Sequence, residues 1–238
     1  DTKGVGEGTV TPWQAASAAI ASAIGAANIV GVPVAIALGG PGAVFWMWVV
    51  ALIGAGAKIT EVSLGVKYRE VNEVGEYVGG PMYYLRKGIG GTAGKVLAVL
   101  FAFFLMIELV PSISTQSASV VGSAATLNIP NWIAGGILTV VVGLVVFGGI
   151  ARITQVSEKL VPFMAVLYVL AALVVIILNI TELPAAFATI FSSAFTGKAA
   201  VGGFAGSTLA TAIRNGTARG VYSNESGLGT APIAHSAS

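Results

Sequence analysis

The sequence predicts an all-α membrane protein of about six transmembrane helices, the first and sixth of them interrupted, on the plan of a five-plus-five inverted repeat. Three observations lead there. Hydrophobic residues make up 55% of the chain and charged ones only 9%, with a mean hydropathy of +0.89, whereas a soluble domain carries about 25% charged residues. The chain divides into long apolar runs near the roughly 20 residues that a spanning helix needs. The first run, which includes "SAIGAANIVGVPVAIALGGPG" (22–42), is broken by Gly25, Asn28, Gly31 and Pro33. In lipid every backbone amide needs a partner inside the protein, so such residues at membrane depth mark a place where neighbouring helices or a polar cavity take over.

The runs follow in order: 12–38, interrupted; 43–66; 95–125; 132–149; 158–179; and a sixth from about 199 onward, passing into "NGTARGVYSNESGLGTAPIAHSAS". The 32 glycines suit close helix packing, because lipid offers no hydrophobic drive between helices and small residues let backbones approach. The chain reads as a single transmembrane domain over 1–238, incomplete, holding the first repeat and the start of the second. It opens on Asp1 without a charged-then-apolar leader, so no cleavable signal peptide is expected.

Loop charges assign an orientation. The second-to-third connection holds Lys67, Arg69, Arg86, Lys87 and Lys95, and the fourth-to-fifth holds Arg152 and Lys159, while "LNIPN" has no basic residue. Basic residues accumulate on the cytoplasmic side, which places the start of the chain in the cytoplasm. Trp46 and Trp48 after the "GGPG" turn, and Trp132 opening the fourth run, read as interfacial anchors. A net charge of +2 carries no nucleic-acid signal, and the absence of cysteine excludes disulfides and thiolate metal sites.

Polar groups inside the runs divide a scaffold from a machine. Glu108 lies mid-run, where an ionisable group costs about 3 kcal/mol on insertion scales and must face protein or water. It binds a cation or proton, or pairs with a loop base. Gln116, eight residues on, shares its face, and either contacts a ligand or holds helices together. Lys58 and Glu61, three apart, suit a structural or interfacial ion pair or a coupling role. His235, the sole histidine, reads as a loop or interfacial residue and makes no metal site.

A helix broken in mid-membrane exposes carbonyls on one half, which ligate cations, and amides on the other, which face anions. A small zwitterion together with a metal ion suits such a break. Transporters built from inverted repeats place their sites at two interrupted helices, one in each half, near the bilayer midplane. The second break is expected at "GGFAG" (202–206), with "NGTARG" (215–220) as the alternative.

The blocks "NIVGVPVAIALGGPGAVFWMWVVALIGAGAK", "VKYRE", "GEYVGGPMYYL", "EKLVPFMAVLYVL", "GGFAG" and "ARGVYSNESGLGTAPIAH" together resemble the alanine or glycine:cation symporter family, in the family's order and over nearly all of the chain. The resemblance implies sodium-coupled transport of small amino acids and a fold similar to that of the bacterial leucine transporter. It also implies that the chain is a piece, since family members are roughly twice as long. The family's Gly-Thr-Gly-Asn pattern corresponds to Gly25, Ala26, Ala27 and Asn28, with Gly25 and Asn28 matching and the two alanines departing. Val34 stands where the family has a threonine-like position, so the site is less polar here. Gln116 falls on a glutamine that contacts substrate, though "MIELVPSIS" before it departs from the family's glycine-containing stretch; Phe204 and Gly206 match the segment that walls the substrate side chain.

These residues imply the following expectations. Gly25, Ala26, Ala27, Asn28, Gln116, Phe204 and Gly206 bind the substrate, and Asn28 and Ala26 bind the ion. Sodium is the coupling ion, with no organic cofactor, no transition metal and no enzymatic reaction. Partners are a small amino acid such as alanine or glycine, sodium and the lipid bilayer, and the setting is a bacterial or archaeal plasma membrane. The alternatives are a proton-coupled or non-amino-acid carrier of the same fold, for which Glu108 argues, and a truncated fragment that transports nothing.

Overall fold

A computed structural model describes residues 8, 10–196 and 209–238 of the chain. The elements in order are α1 (Pro12–Ala23), α2 (Ala26–Gly39), α3 (Gly42–Lys67), β1 (Glu70–Val71), β2 (Tyr77–Val78), α4 (Pro81–Tyr84), a π turn (Leu85–Ile89), α5 (Gly91–Ala125), α6 (Asn131–Val146), α7 (Gly149–Leu178), a 3₁₀ turn (Ile180–Glu182), α8 (Leu183–Thr196), α9 (Leu209–Asn224) and α10 (Thr230–Ser236). Four stretches among the described residues are long and apolar enough to cross a membrane: Pro12–Gly39, Gly42–Lys67, Gly91–Ala125 and Arg152–Leu178. The apolar window of the last has a mean hydropathy of 2.9 and is only 6% buried within the chain. That surface needs a hydrocarbon solvent.

The first span is interrupted, as its glycines predict, but at Ile24 and Gly25 rather than at Asn28, where the uncoiling was expected. Thr11 and Gln14 form a reciprocal capping box, with Pro12 at the first helical position, and start α1. The helix ends at Ile24, whose backbone is extended (φ −92°, ψ 98°) and whose N–H donates to the Ile20 carbonyl at 2.8 Å. Asn28 does not uncoil: it is the third residue of α2. Gly25, which lacks a Cβ, is the residue that leaves helical geometry easily, whereas Asn28 already has the intrahelical bonds of α2 ahead of it.

The chain divides into two compact units, residues 1–26, 58–161 and 227–238 in one and 27–57 and 162–226 in the other. In the first, α5 and α6 pack together and α1 packs on α10. Gln14 donates from Nε2 to the Glu158 carboxylate at 3.0 Å, tying α1 to the early turns of α7. The connection between α6 and α7 is tighter than its charges suggest. Arg152, expected in a loop, sits in the first turn of α7 and donates to the Leu144 carbonyl near the end of α6 at 3.0 Å. The basic second-to-third connection is a β1–β2 hairpin with Glu70 opposite Val78, followed by α4 and the π turn.

The glycine-rich stretch after α9 is a seated element of this unit. A Cβ on Gly65 would stand 2.6 Å from Pro232 Cβ, and one on Gly79 at the same distance from Ser236 Cβ. Gly229 carries φ +85° and would bring a Cβ to 2.7 Å from the Phe101 ring, so position 229 admits only glycine. Arg69 lies over the Tyr77 ring at 4.1 Å and donates to the carbonyls of Ser236 and Ser238, fixing the hairpin to α10.

In the second unit α9 lies against α2 and α3. Its buried Ala212, Gly216 and Gly220 recur every four residues, and a Cβ on Gly216 or Gly220 would stand 2.8 Å from Trp46 Cβ or 3.1 Å from Val50 Cβ. This stripe of small residues lets the two helix backbones approach. Trp46 and Trp48 are more than interfacial anchors. Trp46 Nε1 donates to the Ala194 carbonyl of α8 at 3.1 Å, and the two tryptophans with Phe45 stack edgewise or tilted on Phe187, Phe191 and Phe195. Helix α8 falls between the fifth and sixth predicted runs and is too short to register as a span.

Candidate functional site

The residues marked by the sequence fall into two groups, each inside one unit. In the first unit the amide of Gln116 occupies the space that a side chain at Gly25 would take: a Cβ there would stand 2.9 Å from Gln116 Oε1 and overlap Nε2. Two residues separated by most of three predicted spans are brought together, at the point where α1 ends. There α1 presents the negative end of its dipole.

Four hydroxyls of α5 around Gln116 bond back to their own helix. Ser114 donates to the Val110 carbonyl, Thr115 to Pro111, Ser119 to Thr115 and Ser123 to Ser119, each at 2.8 to 2.9 Å. Pro111 lacks the N–H that would bond one turn back, yet the helix continues through it. These four hydroxyls therefore have partners on their own helix. Glu108 keeps one carboxylate oxygen, Oε2, buried and without a hydrogen-bond partner among the described residues.

In the second unit Ser223 Oγ donates to Asn28 Oδ1. This contact belongs to an antiparallel seam between α2 and α9. A Cβ on Gly39 would stand 3.1 Å from Asn215 Cβ, and one on Gly31 would meet the Arg219 side chain at 3.4 Å, while Asn28 meets Ser223. Asn215, Arg219 and Ser223 recur every four residues, so one polar face of α9 lies along the glycines of α2. The expected alternative break at "NGTARG" is overturned: residues 215–220 are continuous helix inside α9, stabilised by these seams. Ala26 and Ala27 are the first two residues of α2. Phe204, Gly206 and the preferred break at "GGFAG" lie outside the described residues.

Ser223 was missed because its surroundings read as a polar tail. The signal that finds it is the four-residue spacing of polar groups, offset from the equal spacing of Ala212, Gly216 and Gly220. Glu61 also has an unforeseen partner. Its carboxylate accepts the Gly227 N–H, Lys58 is near enough for its charge to act on it, and Oε2 is buried without a hydrogen-bond partner among the described residues. His235 sits half-buried in α10.

These features define a class, a multi-pass all-α membrane protein whose first span is broken beside a half-buried amide. The chain belongs to the sodium:alanine symporter family, whose model matches residues 1–238, and this is a family of transporters rather than enzymes. It is 54% identical over 233 residues to the uncharacterized transporter YflA of Bacillus subtilis, covering 98% of this chain and 49% of that protein. It is 45% identical over 234 residues to the sodium/alanine symporter AgcS of Methanococcus maripaludis, covering 97% and 51%. With the probable sodium/glutamine symporter GlnT of Bacillus subtilis it shares 39% identity over 229 residues, covering 95% and 46%. The chain spans about half the length of the curated relatives it matches.

Proposed function

We propose that the protein carrying this chain is a secondary active transporter, coupling inward sodium movement to uptake of alanine, glycine or a similarly small amino acid by alternating access. It does so in a bacterial or archaeal plasma membrane, with the start of this segment cytoplasmic. The observation that carries the reading is the interruption at Ile24 and Gly25 with the Gln116 amide against it. A break in mid-span offers main-chain groups to a solute, and Gln116 supplies an amide that both donates and accepts.

The roles follow from the chemistry. Gln116 and the backbone at Gly25 bind the polar end of the amino acid. The main-chain amides of Ala26, Ala27 and Asn28, in the first turn of α2 at its positive end, favour its carboxylate. Asn28 Oδ1, already accepting from Ser223, is an oxygen donor suited to sodium, and Ala26 contributes main-chain atoms to the ion. Phe204 and Gly206 wall the side chain and restrict its size. Sodium and the amino acid must both favour the same occluded state, since a ligand shifts an equilibrium only by its differential affinity for the two states.

The test is uptake of labelled alanine and glycine into vesicles holding the full-length product, with and without an inward sodium gradient. Uptake is expected only with sodium, and equal uptake in both conditions removes the sodium coupling. A second reading, proton coupling, is favoured by the partnerless oxygen of Glu108. Uptake that follows a pH gradient, ignores sodium and fails in Glu108→Gln selects it.

A further inference from the structure

The end of the basic connection builds a cavity lined by none of the residues proposed for transport. A cavity of about 560 Å³ opens where α5 folds back over the π turn, lined by Tyr83, Arg86, Lys95, Ala98, Val99 and Ala102 among others. A Cβ on Gly94 would stand 2.7 Å from the Leu85 carbonyl oxygen and 3.1 Å from that of Arg86, so glycine lets the first turn of α5 close over the turn before it. Lys95, Ala98, Val99 and Ala102 are spaced by three, four and seven and share one face of the helix. The groove therefore starts at two cations and continues about 10 Å along α5, over small apolar side chains, at 1.5 Å per residue. Since α5 is a candidate membrane span, this direction leads from the interface into the hydrocarbon.

Charge at the mouth is in surplus. Arg86 and Lys87 share the Glu70 carboxylate, each at 2.8 Å, and Lys95 adds a third cation against this one acid. Arg86 also stacks on Tyr83, 5.2 Å from the ring centre, which holds the guanidinium in the lining while its remaining N–H donors stay available. A phosphate complements the two lining cations, and basic pockets between spanning helices hold acidic lipid head groups. A free phosphate would leave the apolar floor empty.

We propose that this groove seats an anionic phospholipid, with its phosphate between Arg86 and Lys95 and one acyl chain along Ala98, Val99 and Ala102. The assignment depends on the membrane setting and not on the substrate or coupling ion. It is tested by native mass spectrometry of the full-length protein in detergent, titrated with phosphatidylglycerol or phosphatidylcholine. Phosphatidylglycerol is expected to bind preferentially. Lys95→Gln, which leaves the Arg86–Glu70 pair in place, should weaken that binding about fivefold, and Arg86→Gln with Lys95→Gln more strongly. Ala102→Phe should weaken it with every charge intact, and excess inorganic phosphate should not displace it. Equal retention of both lipids, or undiminished phosphatidylglycerol binding in the folded Lys95→Gln protein, overturns the proposal. Displacement by inorganic phosphate with no effect of Ala102→Phe assigns the cations to free phosphate and overturns it too. Thermal unfolding of each variant in detergent separates loss of lipid from loss of fold.

Discussion

Gly25 and Gln116 are the smallest arrangement on which the proposed mechanism can be tested. Gly25→Ala places a methyl group where the Gln116 amide now lies, and the clash is with the far end of a flexible side chain rather than with backbone. The fold should survive, with Gln116 displaced. Sodium-dependent uptake should then fall at least tenfold while the melting temperature changes little. Adding Gln116→Ala to Gly25→Ala relieves the crowding but leaves the amide missing, so uptake should stay low. Recovery of uptake in the double variant would mean that Gln116 only fills space. Both residues were legible in the sequence, one as a glycine in a helical run and the other as a lone amide in an apolar one. Their meeting was not, because nothing local to either position encodes contact across 91 residues of chain.

At the scale of elements, α9 shows how a membrane helix hides from hydropathy. Its polar residues make it look like a tail, yet one stripe of small residues buries it against α3 and one polar stripe lies along α2. Gly216→Val would force a branched side chain against Trp46 and the Ala43 backbone, and overpacking of this kind costs about 1–3 kcal/mol. The expected result is a lower thermal midpoint in detergent, with Ser223→Ala much milder because one neutral hydrogen bond contributes about 1 kcal/mol net. An unchanged midpoint in Gly216→Val would remove the α3–α9 seam. Helix α8 was missed for a different reason. Its apolar residues are too few for a span, and its partners, Phe45, Trp46 and Trp48, lie more than a hundred positions earlier.

For the whole molecule, the orientation read from loop charges is the property most open to direct measurement. These 238 residues contain no cysteine, so none of them competes with a single introduced one. Glu73→Cys, in the β1–β2 hairpin, should react with an impermeant maleimide only from the cytoplasmic face. Asn128→Cys, in the turn before α6, should react only from outside. Reversed labelling would invert the assignment. The hairpin site also reports on pH. The Glu70 carboxyl is held below the ordinary carboxylate range by hydrogen bonds from Lys87 and then Arg86. A depressed carboxyl stabilises the fold above its unfolded value and stops doing so as pH falls through the folded one, so the π turn should lose protection from hydrogen exchange only under acid conditions.

The sequence by itself determined the membrane class, four of the six predicted runs as stretches long enough to cross a bilayer, and the interruption of the first, because a bilayer demands about 20 apolar residues per crossing and glycine weakens a helix wherever it stands. Only the tertiary structure decided which faces meet: Gln116 with Gly25, Ser223 with Asn28, the small stripe of α9 with α3, and the Gly227–Ser236 stretch with the last turns of α3. In water a helix reveals its buried side by being apolar on one face alone. In lipid the outward side is apolar too, so the periodicity that would name the contact face is lost, and small or polar residues acquire partners only once the helices are in place.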